Sequence, residues 1–277
     1  VKKKIMKYKM LVLDMDDTLL TDDHQISDKN KAMIQKAQEL GVYVVLASGR
    51  PTPAMINYAK DLNLHTNESY ILAYNGGQII EMKSEEVLFE QSISKEHIHQ
   101  LYDFSVANNV HIITYFDGAI ITENESEYID LEVHITGMPL RRVDNFKEAV
   151  NQSSVKCIML AEPSFLKVVS EKLQAEMSSH KSITTSKPFF LEIMQSGIDK
   201  AASLARLAST LNIDASEIIA VGNAYNDLTM IEYAGLGVWV DNVEPELRER
   251  AKVIVASNNN DGVAEVIQRF IVNGEEI

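Results

Sequence analysis

Three short apolar runs, each ending in a polar cluster, constrain the fold of this chain more than any other feature. Met10-Leu11-Val12-Leu13 ends in Asp14-Met15-Asp16, Val42-Tyr43-Val44-Val45-Leu46 in Ala47-Ser48-Gly49-Arg50, and Ile218-Ile219-Ala220-Val221 in Gly222-Asn223. Unbroken apolar runs of this length are the pattern of strands buried on both faces, which belong to parallel sheets. The segments between them have helical spacing. Asp28 to Leu40 carries apolar residues at Ala32, Met33, Ala37 and Leu40 before Gly41, Pro51 to Leu62 opens with prolines tolerated in a first turn, and Lys200 to Leu211 is amphipathic. Leu236 to Val240 and Val253 to Ala256 read as further strands, and Asn75-Gly76-Gly77 between Tyr70–Tyr74 and Gln78–Ile80 is a hairpin signal. Strands alternating with helices predict an α/β fold, a Rossmann-like parallel sheet with helices on both faces.

The middle of the chain has a different texture. After about Lys83 it turns polar, then gives a helix over Lys95 to Asn108 and a strand pair over His111–Phe116 and Ala119–Thr122, joined by Asp117-Gly118. A short helix over Asn145–Val150, a strand over Val155–Leu160 and a longer helix over Pro163–Met177 follow. The hairpin makes this an α+β insert. The expected division is therefore a core of residues 1–82 and 187–277 with an inserted cap domain of residues 83–186. A length of 277 residues, near the upper size for one hydrophobic core, agrees with two lobes.

Composition excludes several function classes. An apolar fraction of 45% and a charged fraction of 24% describe an ordinary globular chain. No apolar run is long enough to span a bilayer, and the basic Val1–Lys7 stretch lacks the apolar segment of a secretory signal, so no membrane partner is expected. The lone Cys157, in the apolar run Cys157-Ile158-Met159-Leu160, reads as a buried core residue, which suits a reducing, cytoplasmic location. A net charge of −14 argues against nucleic acid, whose phosphates are met by lysine and arginine. Any phosphate site must then be assembled locally, from amide dipoles, a metal ion and a few placed cations.

Asp14 and Asp16 follow a buried strand, at the end of the sheet where α/β proteins bind ligands. In extended geometry they face one site and the Met15 side chain faces away. Two such carboxylates repel unless a cation joins them, and hard oxygen ligands with positions left for water or phosphate suit Mg²⁺. Taken alone, an Asp-x-Asp is more often a solvated turn or a helix cap. Ser48, Lys200 and Gly222-Asn223-Ala224-Tyr225-Asn226-Asp227 change that reading, because they add a hydroxyl, a cation and more ligand oxygens around one sheet edge.

These segments, in this order, resemble the signature of the haloacid dehalogenase superfamily, most closely its Cof-type phosphatases with a type-IIB cap inserted after the second motif. Asp14 and Asp16 match the first motif, Ser48 the second, Lys200 the third, and Asn223, Asn226 and Asp227 the fourth. Asn75-Gly76-Gly77 resembles the turn before the cap, and Asn258-Asn259-Asn260-Asp261-Gly262-Val263-Ala264 the closing segment. The resemblance implies a small phosphorylated metabolite as substrate, sugar phosphates foremost. It assigns Asp14 as nucleophile, Asp16 as general acid and base, and Ser48 and Lys200 as further catalytic groups. Asp14, Asp16, Asn223 and Asp227 are the expected Mg²⁺ ligands, and Met15, Ser48, Gly49, Arg50, Asn75, Lys200 and Asn226 the expected phosphate or substrate contacts. Arg50 can alternatively pair with a carboxylate on the core. The family usually has aspartate where this chain has Asn223, which removes one negative charge from the metal site. A phosphosugar mutase and a non-catalytic phosphometabolite-binding protein are the alternatives on the same scaffold.

Overall fold

In the computed structural model, residues 7–177 and 181–277 are described; most of the basic N-terminal stretch, residues 1–6, lies outside them. In chain order the strands are β1 (Met10–Asp14), β2 (Tyr43–Ala47), β3 (Tyr70–Ala73), β4 (Gln78–Glu81), β5 (Glu86–Glu90), β6 (His111–Phe116), β7 (Ala119–Thr122), β8 (Leu140–Arg142), β9 (Lys156–Leu160), β10 (Lys181–Lys187), β11 (Phe190–Gln195), β12 (Ile218–Gly222), β13 (Leu236–Val240) and β14 (Ile254–Val255). They fall into two units. One comprises the chain up to Gly49, Met55–Phe89 and Asp199–Ile277, the other Arg50–Ala54 and Glu90–Ile198.

The first unit holds an eight-stranded sheet in the order β14-β13-β12-β1-β2-β3-β4-β5. All five residues of β1 are buried, as its unbroken apolar run predicts, and it pairs in parallel with β2 on one side and β12 on the other. β3 and β13 extend the parallel set, β14 closes one end of it, and β4 returns antiparallel to β3 through the Asn75-Gly76-Gly77 turn. The chain proceeds outward from β1 in one direction and from β12 in the other, so the topological switch point lies between these two strands. Side chains of Val12, Val45, Ala220 and Trp239 share one buried cluster with Leu204 and Leu207 of the helix Lys200–Thr210. That helix starts where the sequence predicts, with the Asp199 side chain accepting from the Ala202 amide at 2.8 Å.

β5 is one of the two edge strands of this sheet. Val87 and Leu88 remain 48% and 43% exposed, while the Arg206 guanidinium covers the Phe89 ring 3.9 Å from its centroid.

The second unit holds a six-stranded sheet in the order β10-β11-β9-β6-β7-β8, antiparallel except where β7 meets β8. Ile112, Ile121, Cys157, Met159, Leu191 and Ile193 point to one face and pack with Leu101, Phe104, Phe146, Leu166 and Leu173 from three helices. The buried Cys157 expected from sequence lies in this core, and burial pushes its thiol up to about 12.

Two expected boundaries move. β5, placed in the insert by its polar neighbours, joins the first sheet, and β11, placed in the core, pairs with β9 in the second. The apolar pattern of Phe190–Gln195 identifies a buried strand but carries no information about which sheet buries it. The structure also has a helix over Glu127–Thr136, capped by Ser126 and stopped by Gly137 at φ +66°, beyond the elements that the sequence pattern predicts. Among the described residues no helix is long and apolar enough to cross a membrane.

Candidate active site

The carboxyl ends of β1, β2 and β12 converge at the switch point, and each delivers the residues that follow its apolar run. Asp14 ends β1 and is nearly buried. Lys200, 1% exposed at the start of its helix, donates to Asp14 Oδ1 at 2.6 Å, to Asp227 Oδ1 at 2.6 Å and to the Ala47 carbonyl at 2.9 Å. Three donors on one ammonium meet three oxygens from three elements, so the lysine is fully engaged.

Asp227 is wholly buried, and its second oxygen accepts from the backbone amides of Asn223 at 2.9 Å and Ala224 at 3.1 Å. Folding this carboxylate back against the loop requires Gly222: a Cβ there would stand 2.5 Å from the Cβ of Asp227. Asp227 was expected as a metal ligand. One of its oxygens accepts from Lys200 and the other from two amides, which orients the lysine and fixes the Asn223 loop.

The buried triad Asp14, Lys200 and Asp227 carries two carboxylates and one ammonium. Its surplus negative charge has a visible consequence. Burial, then the charge of Asp227, pushes the Asp14 carboxyl from 3.8 up to about 7, against the pull of Lys200. Burial alone would lower the lysine, but the two carboxylates outweigh it and hold the ammonium above its ordinary range.

Asp16 lies half exposed beyond the end of β1, in the tight turn of Met15–Leu19, where Asp17 takes a left-handed conformation at φ 57°. The Met15 side chain is fully buried, as alternation predicts. Thr18, absent from the sequence-derived set, donates from its hydroxyl to Asn223 Oδ1 at 3.1 Å. That bond turns the amide oxygen of Asn223 toward the Asp14–Leu19 segment. Its signal in the sequence was only its place two residues after Asp16.

Ser48 follows β2 and is buried, its amide donating to Leu72 and its carbonyl accepting from the Asn75 amide at 2.8 Å. Asn75 in turn accepts from the Asn226 side chain at 3.3 Å, and its side-chain amide packs over Gly49, where a Cβ would come within 3.2 Å. Ser48, Gly49, Asn75 and Asn226 are thus brought together. Arg50 belongs to the second unit, where it is buried and donates to the Ile135 carbonyl at 3.1 Å.

Among the described residues no group of three or more histidine, cysteine, aspartate or glutamate side chains is placed to hold a metal ion. The oxygens that could take up a cation are the Asp14 carboxylate, the backbone carbonyl of Asp16 and the amide oxygen of Asn223. All three are hard oxygen donors beside a site with surplus negative charge, which fits a cation such as Mg²⁺.

A parallel sheet with paired carboxylates and a buried lysine at its switch point defines an α/β enzyme built to handle an anionic group. A family model of haloacid dehalogenase-like hydrolases matches residues 11–267. The chain is 35% identical to a solved haloacid dehalogenase-like hydrolase from Bacteroides thetaiotaomicron, with a TM-score of 0.91 over 96% of this chain and 100% of that one. YxeH of Bacillus subtilis (strain 168) is 32% identical over 269 residues, 96% of this chain and 99% of its own. The 5-amino-6-(5-phospho-D-ribitylamino)uracil phosphatase YcsE of the same organism is 27% identical over 272 residues, 98% and 99% of the two chains. This chain belongs to the haloacid dehalogenase-like hydrolases, and to the phosphatases among them.

Proposed function

We propose that the chain hydrolyses the phosphate monoester of a small sugar or polyol, with Mg²⁺, through a phosphoenzyme on Asp14. The observation that carries this reading is the Lys200 bridge. One buried ammonium holds Asp14 in place at the switch point and supplies positive charge where a phosphate must approach a carboxylate. The substrate class is supported by the relative YcsE, whose named substrate carries its phosphate on a ribityl chain.

Bringing a carboxylate against a phosphate costs about 4 kcal/mol per pair of unit charges at ~4 Å and an effective dielectric of ~20. The Asp14 carboxylate, the backbone carbonyl of Asp16 and the Asn223 amide oxygen would hold Mg²⁺, whose positive charge would offset this repulsion. Asp14 Oδ attacks phosphorus as the bond to the leaving oxygen breaks, and the Asp16 carboxyl gives its proton to that oxygen. Asp16, now ionised, takes a proton from water, whose oxygen attacks phosphorus and releases inorganic phosphate and Asp14. The Ser48 hydroxyl and the amides of the turn after Asp14 serve as donors to the phosphoryl oxygens.

A panel of phosphate monoesters assayed with and without Mg²⁺ tests this reading. Release of inorganic phosphate that needs the metal and stops in Asp14→Asn is the expected result. Undiminished release by Asp14→Asn would refute the nucleophile, and conversion of substrate to an isomeric phosphate without free phosphate would point to a mutase.

A further inference from the structure

Three asparagines outside the site described above grip the turn that carries Asp16 and the segment after it. Asn242, exposed just after β13, donates from Nδ2 to the Asp17 carbonyl at 2.6 Å, while its Oδ1 accepts from the Asn258 amide at 3.0 Å. A carbonyl on one side and an N–H on the other fix which way round this amide lies. Asn258, which is buried, donates from its own side chain to the Leu20 carbonyl at 3.1 Å and to Asp22 Oδ1 at 3.0 Å. Asn259 accepts from the Asp22 amide at 3.1 Å. The turn is therefore held from outside at Asp17, Leu20 and Asp22.

The hold at Asp17 matters most. A left-handed aspartate costs of order 1 kcal/mol relative to ordinary backbone and persists only when its surroundings impose it. Asp14 is fixed on the other side by the sheet, where it is in register with Ala47. The half-exposed Asp16 side chain thus takes its direction from backbone pinned one residue after it by Asn242.

We propose that Asn242 is a positioning residue for Asp16, acting through the Asp17 carbonyl, and that it serves the acid step in which the leaving oxygen is protonated. This rests on the assignment of Asp14 and Asp16 made above. A misdirected Asp16 harms a leaving group that needs a proton and spares one that does not. An alkoxide from a sugar phosphate needs it; p-nitrophenolate does not. Since kcat/KM reports the first irreversible step, formation of the Asp14 phosphoenzyme, the two substrates separate this role from general damage.

The test uses Asn242→Ala and the isosteric Asn242→Asp, which keeps the acceptor for Asn258 but can no longer donate to Asp17. Both are assayed on p-nitrophenyl phosphate and on glucose 6-phosphate, or the best alkyl ester found in the panel. The expected result is a loss of about tenfold or more in kcat/KM on the alkyl ester, within the range of general-acid effects, and less than about threefold on the aryl ester. Equal losses on both, or no loss on either, would overturn the positioning role while leaving the Asp14 reading intact. Wild-type turnover that Asp14→Asn does not abolish would overturn that reading, and the proposal with it.

Discussion

Lys200 and Lys156 are buried to the same degree, at 1% and 2% exposure, one in each unit, and are held in opposite ways. Lys200 meets oxygens from three separate chain elements at 2.6 to 2.9 Å, two of them carboxylates. Lys156 in β9 reaches one strand over to Glu192 in β11 at 3.1 Å and lies 5.5 Å from the centre of the Tyr115 ring. Among the described residues the second oxygen of Glu192 has no hydrogen-bond partner. Tyr115 donates to Glu132, whose carboxyl burial raises above its ordinary range, with Glu192 adding to the rise against Lys156, the tyrosine hydroxyl and Arg50. The first arrangement gathers unlike charges from distant parts of the chain at the end of a parallel sheet and leaves a negative surplus. The second lies within one antiparallel sheet and the helix that carries Glu132. A buried lysine signals function here by where its partners converge on the sheet, since burial is common to both.

Substitutions can break that contrast. The largest effect is expected for Asp14→Asn, which should leave no detectable phosphate release. The same variant should be more heat-stable than wild type at pH 8 in the absence of metal. The sign follows from the raised carboxyl: with a folded value of about 7 against 3.8, the folded chain holds a proton that the unfolded chain has given up. Wild-type stability therefore declines as pH rises from about 4 to about 7, and the deficit is complete above that. Differential scanning calorimetry at pH 5 and pH 8 should find the difference between the two proteins large only at the higher pH.

Lys200→Met should lower kcat by about 10³-fold, comparable to losing a major electrostatic stabiliser. It should also destabilise the fold by about 3–5 kcal/mol, because Asp14 and Asp227 are left buried and unpaired. Lys156→Met should cost a similar ~3 kcal/mol in urea unfolding yet retain turnover per folded molecule. Adding Glu192→Gln to it should recover part of the loss, since the carboxylate that the lysine met is then neutral. If Lys156→Met abolished turnover while the fold stayed intact, the two lysines would not differ as described. A smaller effect is expected for Asn223→Asp, which restores a carboxylate to the donor set. Isothermal titration with Mg²⁺ should show affinity rising about tenfold, or ~1.4 kcal/mol.

The first of these two sites was legible in the sequence and the second was not, for physical reasons. Asp14, Ser48, Lys200 and Asn223 each follow a strand or open a helix, and local patterning locates such positions. The strand and helix alternation that fixes the α/β class comes from the same short-range signal. What patterning cannot supply is which oxygen a side chain spends on which donor. The bonds of Asp227, to Lys200 on one oxygen and to two amides on the other, lie beyond such patterning. The Lys156–Glu192 pair depends on β11 lying beside β9, and assigning Phe190–Gln195 to the wrong sheet hid it. Thr18 and Asn242 are single polar residues whose roles rest on partners 205 and 225 positions away in the chain. No window of sequence contains both ends of such a bond.

The outer strand β5 bears on a different property, the behaviour of many molecules together. Four strands away from β1, it presents two exposed aliphatic side chains at the outer margin of the sheet, the geometry that invites another chain to add itself. Glu86 and Glu90 bracket those side chains, so two copies approaching edge to edge would bring carboxylates of like charge together. The colloidal behaviour of a concentrated solution thus depends partly on two residues with no role in catalysis. Replacing both with neutral residues should leave turnover unchanged and make light scattering rise with concentration.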